Sequence, residues 1–379
     1  MRIRKTIFGR TKIKPNTFIG GVSAAINTPT LIANKLGISV SRIKAFSVIG
    51  SDIQFAVIGG NYNIPTSAFK NNTTITYFND SDGLVIEINP AAFVGAISSA
   101  YYIFPNLNKI ISSTGIGTGV FQNNSSLSSF TAPKLTTIVG DYTFSTLGTT
   151  ATNLVSLNFP MLTGSLGANT FAGQGKLVNL TIGAINSIGL GCFSGNLKLK
   201  SFNCSHLTDV PDNAFNGCKE LDSIVNMNLV LAIGQDSFRE CYSLPNFSAI
   251  SLVTLGVRSF YFTKSITAYY FPALKTINCG TSIGTGTFQN SWDVLTFNAP
   301  VLETINGNYC FNGWDKATNF YMPMLTTLGT SVGDNGHFGN IKTGATITVK
   351  SSLQTANAGA PDGDLVYASG NRGAIIVYV

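Results

Sequence analysis

A phenylalanine that follows a turn returns at Phe69, Phe93, Phe121, Phe144, Phe171, Phe193, Phe215, Phe238, Phe260, Phe288, Phe311 and Phe338. Read off those positions, the steps run 24, 28, 23, 27, 22, 22, 23, 22, 28, 23 and 27. Periods in this range mark a chain that stacks short supersecondary units along one axis, because no single unit can bury its apolar face alone. The clearest unit is Leu207 to Ile224, L-T-D-V-P-D-N-A-F-N-G-C-K-E-L-D-S-I. It holds an apolar tie (Leu207, Val210), a Pro/Asp/Asn turn, Phe215 read as buried, a small-polar corner ending in Cys218, and a short strand from Leu221 to Ile224.

After each phenylalanine comes a strand of the form Φ-x-x-Φ-x-Φ-P, as in Leu127 to Pro133, Leu154 to Pro160 and, slightly shortened, Leu295 to Pro300. A second apolar pair then returns the chain, as in Leu135/Ile138 and Leu302/Ile305. Only 11% of residues are charged while 44% are hydrophobic. That balance suits short strands and many turns rather than surface helices. The expected fold class is a β-rich repeat solenoid of leucine-rich-repeat-like type, with short parallel strands, turns and short helical corners, right-handed and capped at both ends. Residues 1–30 read as a basic arm or attachment segment, 31–63 as an N-terminal cap opening with a turn or two of helix, and 64–345 as the solenoid. Residues 346–379 read as a C-terminal strand followed by a β-hairpin around Gly370-Asn-Arg-Gly373, closing an edge that would otherwise recruit another chain.

The long steps are patterned. Phe121, Phe144 and Phe171 map onto Phe288, Phe311 and Phe338 with one constant offset. The text repeats as well: Gly115 to Asn123 reads G-I-G-T-G-V-F-Q-N and Ser282 to Asn290 reads S-I-G-T-G-T-F-Q-N. A block of repeats was duplicated as a unit, and the extra residues are expected as loops at matching places in both halves.

The net charge of +7 is local. Arg2, Arg4, Lys5, Arg10, Lys12 and Lys14 stand in an acid-free stretch, and removing those six leaves +1 for the rest. A body that neutral does not track a phosphate backbone, so no nucleic-acid partner is expected. No apolar run after Arg4-Lys5 is long enough for a signal peptide, since Arg10 interrupts it, and no stretch reaches the length of a membrane span. The six cysteines, Cys192, Cys204, Cys218, Cys241, Cys279 and Cys310, show no C-x-x-C and no His at ligand spacing. Cys218 and Cys241 hold the same slot in consecutive repeats and could approach disulfide distance, but the favoured reading is small buried thiols, with neither metal nor other cofactor implied.

The units Gly167 to Leu180, Val210 to Ile224 and Ile233 to Leu244 together resemble the BspA-like leucine-rich repeat, roughly I-G-x-x-A-F-x-x-C-x-x-L-x-x-I-x-I-P. The resemblance runs from about residue 60 to 350 and implies a solenoid that binds surfaces or host molecules, without catalytic residues. The ending A-G-x-P-D-G-D-L at Ala358 to Leu365 with I-V-Y-V at Ile376 to Val379 resembles the ends of virion proteins of phages infecting Bacteroidetes.

Catalytic patterns do not assemble in the sequence. Glu220 and Asp222 read as rim charges rather than a glycosidase pair, and His206 and His337 stand beside no nucleophile and acid in register. What the strands offer is a ladder, because residues flanking the central apolar position point away from the core. Ser129/Thr131, Ser156/Asn158, Asn179/Thr181, Ser201/Asn203, Ser223, Asn246/Ser248, Tyr270, Thr296/Asn298 and Asn319/Tyr321 form it, with Val225 and Ala268 as the apolar interruptions. Such rows either solvate an exposed face or bind a glycan, with Tyr270 and Tyr321 stacking on sugar rings; a protein ligand or self-association into a homo-oligomer is the remaining reading. Trp292 and Trp314 stand in equivalent corners and read as core or as a loop-side contact surface. The functional expectation is a non-enzymatic virion surface or tail-tip protein that attaches to a host cell-surface glycan or protein, with residues 1–30 docking on other virion proteins. A bacterial cell-surface adhesin and a purely structural virion component are the alternatives.

Overall fold

In the computed structural model the described residues are 17–20, 28–49, 52–73, 76–146, 152–329 and 333–379. Successive turns of a β-solenoid, about a dozen of them, run the length of the chain, each contributing short strands that pair in parallel with the next turn. One ladder is built from the strands that follow the repeat phenylalanines, from Tyr77–Asp80 through Ser201–Asn203 to Asn319–Met322. The return limb makes a second ladder, from Tyr62–Ile64 through Ile185–Ile188 to Thr304–Asn306. Turns around the phenylalanines form the third side.

The sequence period explains the core. Phe130, Leu157, Phe202, Phe247, Tyr269, Phe297 and Phe320 occupy the central strand position and are buried, while their strand neighbours face outward. The twelve repeat phenylalanines are themselves sealed, none more than 1% exposed. They form one continuous spine: every consecutive pair is stacked, with ring centroids 5.2–5.9 Å apart and planes within 4–22° of parallel. Backbone bonds keep the spine in step. The N–H of Phe69 donates to Ala92 O at 2.7 Å, that of Phe193 to Ala214 O at 2.9 Å, and that of Phe311 to His337 O at 3.1 Å, always the residue before the next phenylalanine. The turn entering nine of the twelve phenylalanines places a left-handed residue two positions before it, as at Asn169, Gly191 and Asn213, where Asn and Gly supply that conformation at least cost.

At the N-terminus, α1 (Pro29–Leu36) begins at Thr28, whose side chain accepts from Leu31 N, and stops at Gly37 with φ +65°. It buries Ile32, Ala33 and Leu36 over the first turn. Ile43–Ile49 and Asp52–Val57 then pair antiparallel, and Thr17–Gly20 lies antiparallel between Asp52–Val57 and Tyr77–Asp80. Part of the expected arm is therefore a strand of the cap, seated where the parallel ladder would otherwise expose its first edge. The basic residues from Arg2 to Lys14 lie outside the described residues.

The C-terminal hairpin is not what forms. Gly363–Arg372 is a helix, α2, and Ile375–Tyr378 pairs in parallel with Thr346–Val349, extending the ladder by one more strand. Asp362 caps the helix by accepting from Asp364 N, and Gly373 ends it at φ +57°. Leu365 and Ala368 are buried one turn apart, a helical spacing that the alternating apolar residues had masked.

Of the duplicated loops, one pair matches. Ile116 and Ile283, at equivalent positions of the two copies, both stand at 78% exposure on their loops. Each is followed by a Gln whose Oε1 accepts from a loop glycine: Gln122 from Gly117 N at 2.7 Å, Gln289 from Gly286 N at 3.2 Å. In the other pair the extra residues fall at different places. The connection from Phe144 to strand Ser156–Phe159 is longer than the one from Phe311 to Asn319–Met322, so the second copy carries its insertion after the strand. Residues 147–151 and 330–332 of these loops lie outside the described residues.

Candidate functional site

The outward residues of the first ladder line up as two rows. One runs Ala268, Thr296, Asn319, Thr346; the other runs Ser248, Tyr270, Asn298, Tyr321, Thr348. In the middle of the chain Ser156 faces Asn179, Asn158 faces Thr181, and Ser201 faces Ser223 with Asn203 opposite Val225. Ser129 and Thr131 continue from Tyr101 and Ile103. Ser129, Ser223, Thr296 and Asn298 are half-buried, and the remaining expected ladder residues are exposed.

The ladder is not one continuous sheet. Among the described residues its strands fall into four hydrogen-bonded groups, ending at Thr131, Ile182, Val225 and Tyr378. At one break the cause is visible. Lys200 N donates to Val178 O and Asp222 N donates to Lys200 O, but the next residue in that slot is Pro245, which has no N–H to give.

Two asparagines are taken up by the scaffold. Asn246 lies just outside its strand, and its Oδ1 accepts from Thr267 N, Ala268 N and Thr267 Oγ1 at 3.1, 3.1 and 2.6 Å. Asn203 Oδ1 accepts from Ser205 N and Asn226 Nδ2, both at 3.0 Å. Asn298 is the opposite case. Its Oδ1 is buried without a hydrogen-bond partner, in the row position between Tyr270 and Tyr321, which are 47% and 40% exposed. The two tyrosines stand two strands apart, about 10 Å by the usual spacing. Tyr101, 55% exposed at the other end of the ladder, was missed in the sequence because the rows were read only from Phe130 onward.

The corners carry a second surface. Trp292 packs edge-on against Phe262 at 5.6 Å, and Lys264 Nζ lies 5.5 Å from its ring and 4.5 Å from that of Tyr242. Lys219 reaches the same Tyr242 ring at 5.4 Å. Trp314, in the equivalent corner, is fully buried and donates from Nε1 to Phe288 O at 2.8 Å. The corner surface thus carries charged and aromatic groups, Glu240 beside Lys219 and Tyr242 included, where the residues of the strand rows are neutral.

Glu220 pairs with Lys198 and Lys200, and Asp222 lies 3.8 Å from Lys200, all on the rim. His206 is exposed. His337, however, is completely buried with Cys279 and Cys310, a thiol from each of two turns and an imidazole from a third, their ligand atoms within 4.8 Å of one another. Steps longer than an ordinary repeat hid this neighbourhood, because repeat-to-repeat proximity obeys no short ligand spacing. Burial alone would push the Cys279 thiol up, but hydrogen bonds with Cys310 and His337 and the charge of the imidazole outweigh it and bring it to about 5. Cys310 moves well above its usual value through burial and through its hydrogen bond with Cys279. Asp364, on α2, is 1% exposed, accepts from His337 N at 2.6 Å through Oδ2 and leaves Oδ1 without a partner; burial pushes its carboxyl up to about 6. The set is not a nucleophile triad: the carboxylate holds the histidine's backbone, and no member is more than 7% exposed to a substrate.

Among the described residues no helix is long and apolar enough to cross a membrane. The family described as BspA type leucine-rich repeat region matches residues 114–245, 164–291 and 232–360, in six copies. A leucine-rich repeat protein from Bacteroides ovatus shares the fold at TM-score 0.51 and 15% identity, covering 88% of this chain and 90% of that one. A leucine-rich cell surface protein from Faecalibacterium prausnitzii aligns at 13% identity and TM-score 0.36, over 81% of this chain and 89% of the other. No curated protein matches the sequence.

Proposed function

The chain belongs to the BspA-type leucine-rich repeat family, and from that premise we propose that it is a non-enzymatic recognition protein whose strand face binds a cell-surface glycan. One observation carries the reading: exposed Tyr270 and Tyr321 stand in one row on either side of half-buried Asn298. Two aromatic faces set among uncharged amides and hydroxyls suit a ligand that offers hydroxyl groups and apolar ring faces together, which is the chemistry of a pyranose. The surrounding Ser, Thr and Asn rows add donors and acceptors without charge. A protein ligand on the same face is the alternative occupant.

The carrier we favour is a phage particle, with residues 1–30 docking onto other virion proteins and the solenoid meeting the host. A bacterial cell-surface adhesin fits the family equally well, and the two readings share the binding face. The test is binding of purified protein to a panel of bacterial surface polysaccharides and to intact host cells. Binding lost in Tyr270→Ala and Tyr321→Ala supports the reading, and wild-type protein that binds neither cells nor glycans overturns it. Antibody labelling of intact particles and of cells separates the two carriers.

A further inference from the structure

The duplicated block supplies its own control for the buried cluster. Under the offset that maps Phe121 onto Phe288, Cys279 takes the place of Ser112 and Cys310 that of Thr143, and His337 takes that of Thr170. The slots are structurally the same. Phe121 N donates to Thr143 O as Phe288 N donates to Cys310 O, and Phe144 N donates to Thr170 O as Phe311 N donates to His337 O. Val120 N donates to Ser112 Oγ as Thr287 N donates to Cys279 Sγ. In the first copy the slots need nothing but small hydroxyl residues, and Ser112 Oγ sits 2.9 Å from Thr143 Oγ1. The fold therefore does not demand two thiols and an imidazole; the second copy has acquired them together.

We propose that Cys279, Cys310 and His337 form a binding site for a thiophilic divalent cation, with Zn²⁺ as the fitting ion. Two sulfurs and one imidazole nitrogen are a donor set that zinc prefers over the harder cations. Charge supports it too. Two thiolates and a neutral imidazole around Zn²⁺ sum to zero, which a fully buried site tolerates, whereas the same two thiolates without a cation repel each other out of water.

The imidazole also has an unresolved hydrogen-bond balance. Nδ1 faces Cys310 N at 3.3 Å and Nε2 faces Gly329 N at 3.1 Å, yet a neutral imidazole has one lone pair, so it cannot accept both. A cation bound at either nitrogen takes the lone pair in place of the facing backbone N–H, so ligation goes with a small shift of the ring away from Cys310 N or Gly329 N. Asp364 backs the site from α2 by holding His337 N and places a carboxylate on the histidine side. Because the cluster is sealed, the ion enters as the chain folds and ties three turns to the C-terminal helix.

The test is metal analysis of the full chain, refolded with reductant and Zn²⁺ and then desalted. About one zinc per chain is expected, and Co²⁺ in its place should give thiolate-to-cobalt charge-transfer absorption. The variant Cys279→Ser/Cys310→Thr/His337→Thr installs the residues that the first copy already accommodates, so it should fold and lose both the zinc and the cobalt band, while Cys218→Ser keeps them. Reduced wild-type chain that folds without metal, a Cys279–Cys310 disulfide as its only stable folded form, or equal zinc in the triple variant would each overturn the assignment.

Discussion

The phenylalanine spine makes a quantitative prediction at its centre. Phe215 is fully buried, stacks on Phe193 and Phe238 with both centroids 5.4 Å away, and meets the edge of Phe202 at 5.1 Å. Phe215→Ala removes a buried aromatic, which costs about 3–5 kcal/mol. Three ring contacts of roughly 0.5–1.5 kcal/mol each are included in that loss and place it toward the upper end. The more specific consequence concerns neighbours. In a stacked array the energy resides in unit-to-unit interfaces, so Phe215→Ala and Phe238→Ala together should cost less than the sum of the two, by about 0.5–1.5 kcal/mol, since both delete the same stack. Phe215→Ala with Phe311→Ala, four units away, should be additive. Urea unfolding followed by far-ultraviolet dichroism measures the whole array, and tryptophan fluorescence reads only its C-terminal part, because Trp292 and Trp314 both lie beyond Phe260. A loss under about 1 kcal/mol for Phe215→Ala, or equal coupling for the near and distant pairs, would refute the spine as the unit of stability.

Three further outcomes follow from the geometry. Burial pushes the thiols of Cys192, Cys204 and Cys218 up to about 12, so they stay protonated in the folded chain while an unfolded chain ionises them near 9. Stability should therefore hold below pH 9 and fall as pH rises toward 12, and native protein at pH 8 should not react with a thiol reagent until denatured, which absorbance titration measures. A Cβ at Gly286 would stand 2.0 Å from Tyr309 O, so Gly286→Ala should destabilise by about 1–3 kcal/mol in a thermal melt, while Ala at Gly370 meets nothing within 4 Å and should not. Arg258 holds the buried Asp236 through two bonds of 2.8 and 2.6 Å; Arg258→Met should cost about 2–4 kcal/mol, and Asp236→Asn in the same background should recover part of it in urea unfolding.

The repeat architecture was legible because it rests on one apolar residue type at a fixed phase, and the strand faces followed from alternation alone. Leu365 and Ala368 show where this reading stops: a short amphipathic helix beside a strand has too few apolar positions to separate the two periods. Asn246 shows a second limit. Its place beside a strand was plain, but whether its amide serves a ligand or the next turn depends on where Thr267 lies in space. Cys279, Cys310 and His337 were hidden for a related reason. In a stacked chain the neighbours of a residue are one period away, and the unequal steps between these three become adjacency only once the insertions are placed. Aligning the two duplicated copies slot by slot, rather than searching for ligand spacings, would have revealed the exchange of hydroxyls for thiols and an imidazole.

The spacing of the spine has a mechanical consequence. Rings on the turn side repeat every 5.2–5.9 Å, whereas strands on the other side repeat about every 4.8 Å. Over the eleven steps that difference sums to about 7 Å, which offset of the rings within their stacks and bending of the array with the strand face inward can both take up. Bending in that sense brings the outward side chains of neighbouring strands nearer to each other, Tyr270, Asn298 and Tyr321 among them. Ring packing inside the molecule thus bears on the shape of the surface that the strands present.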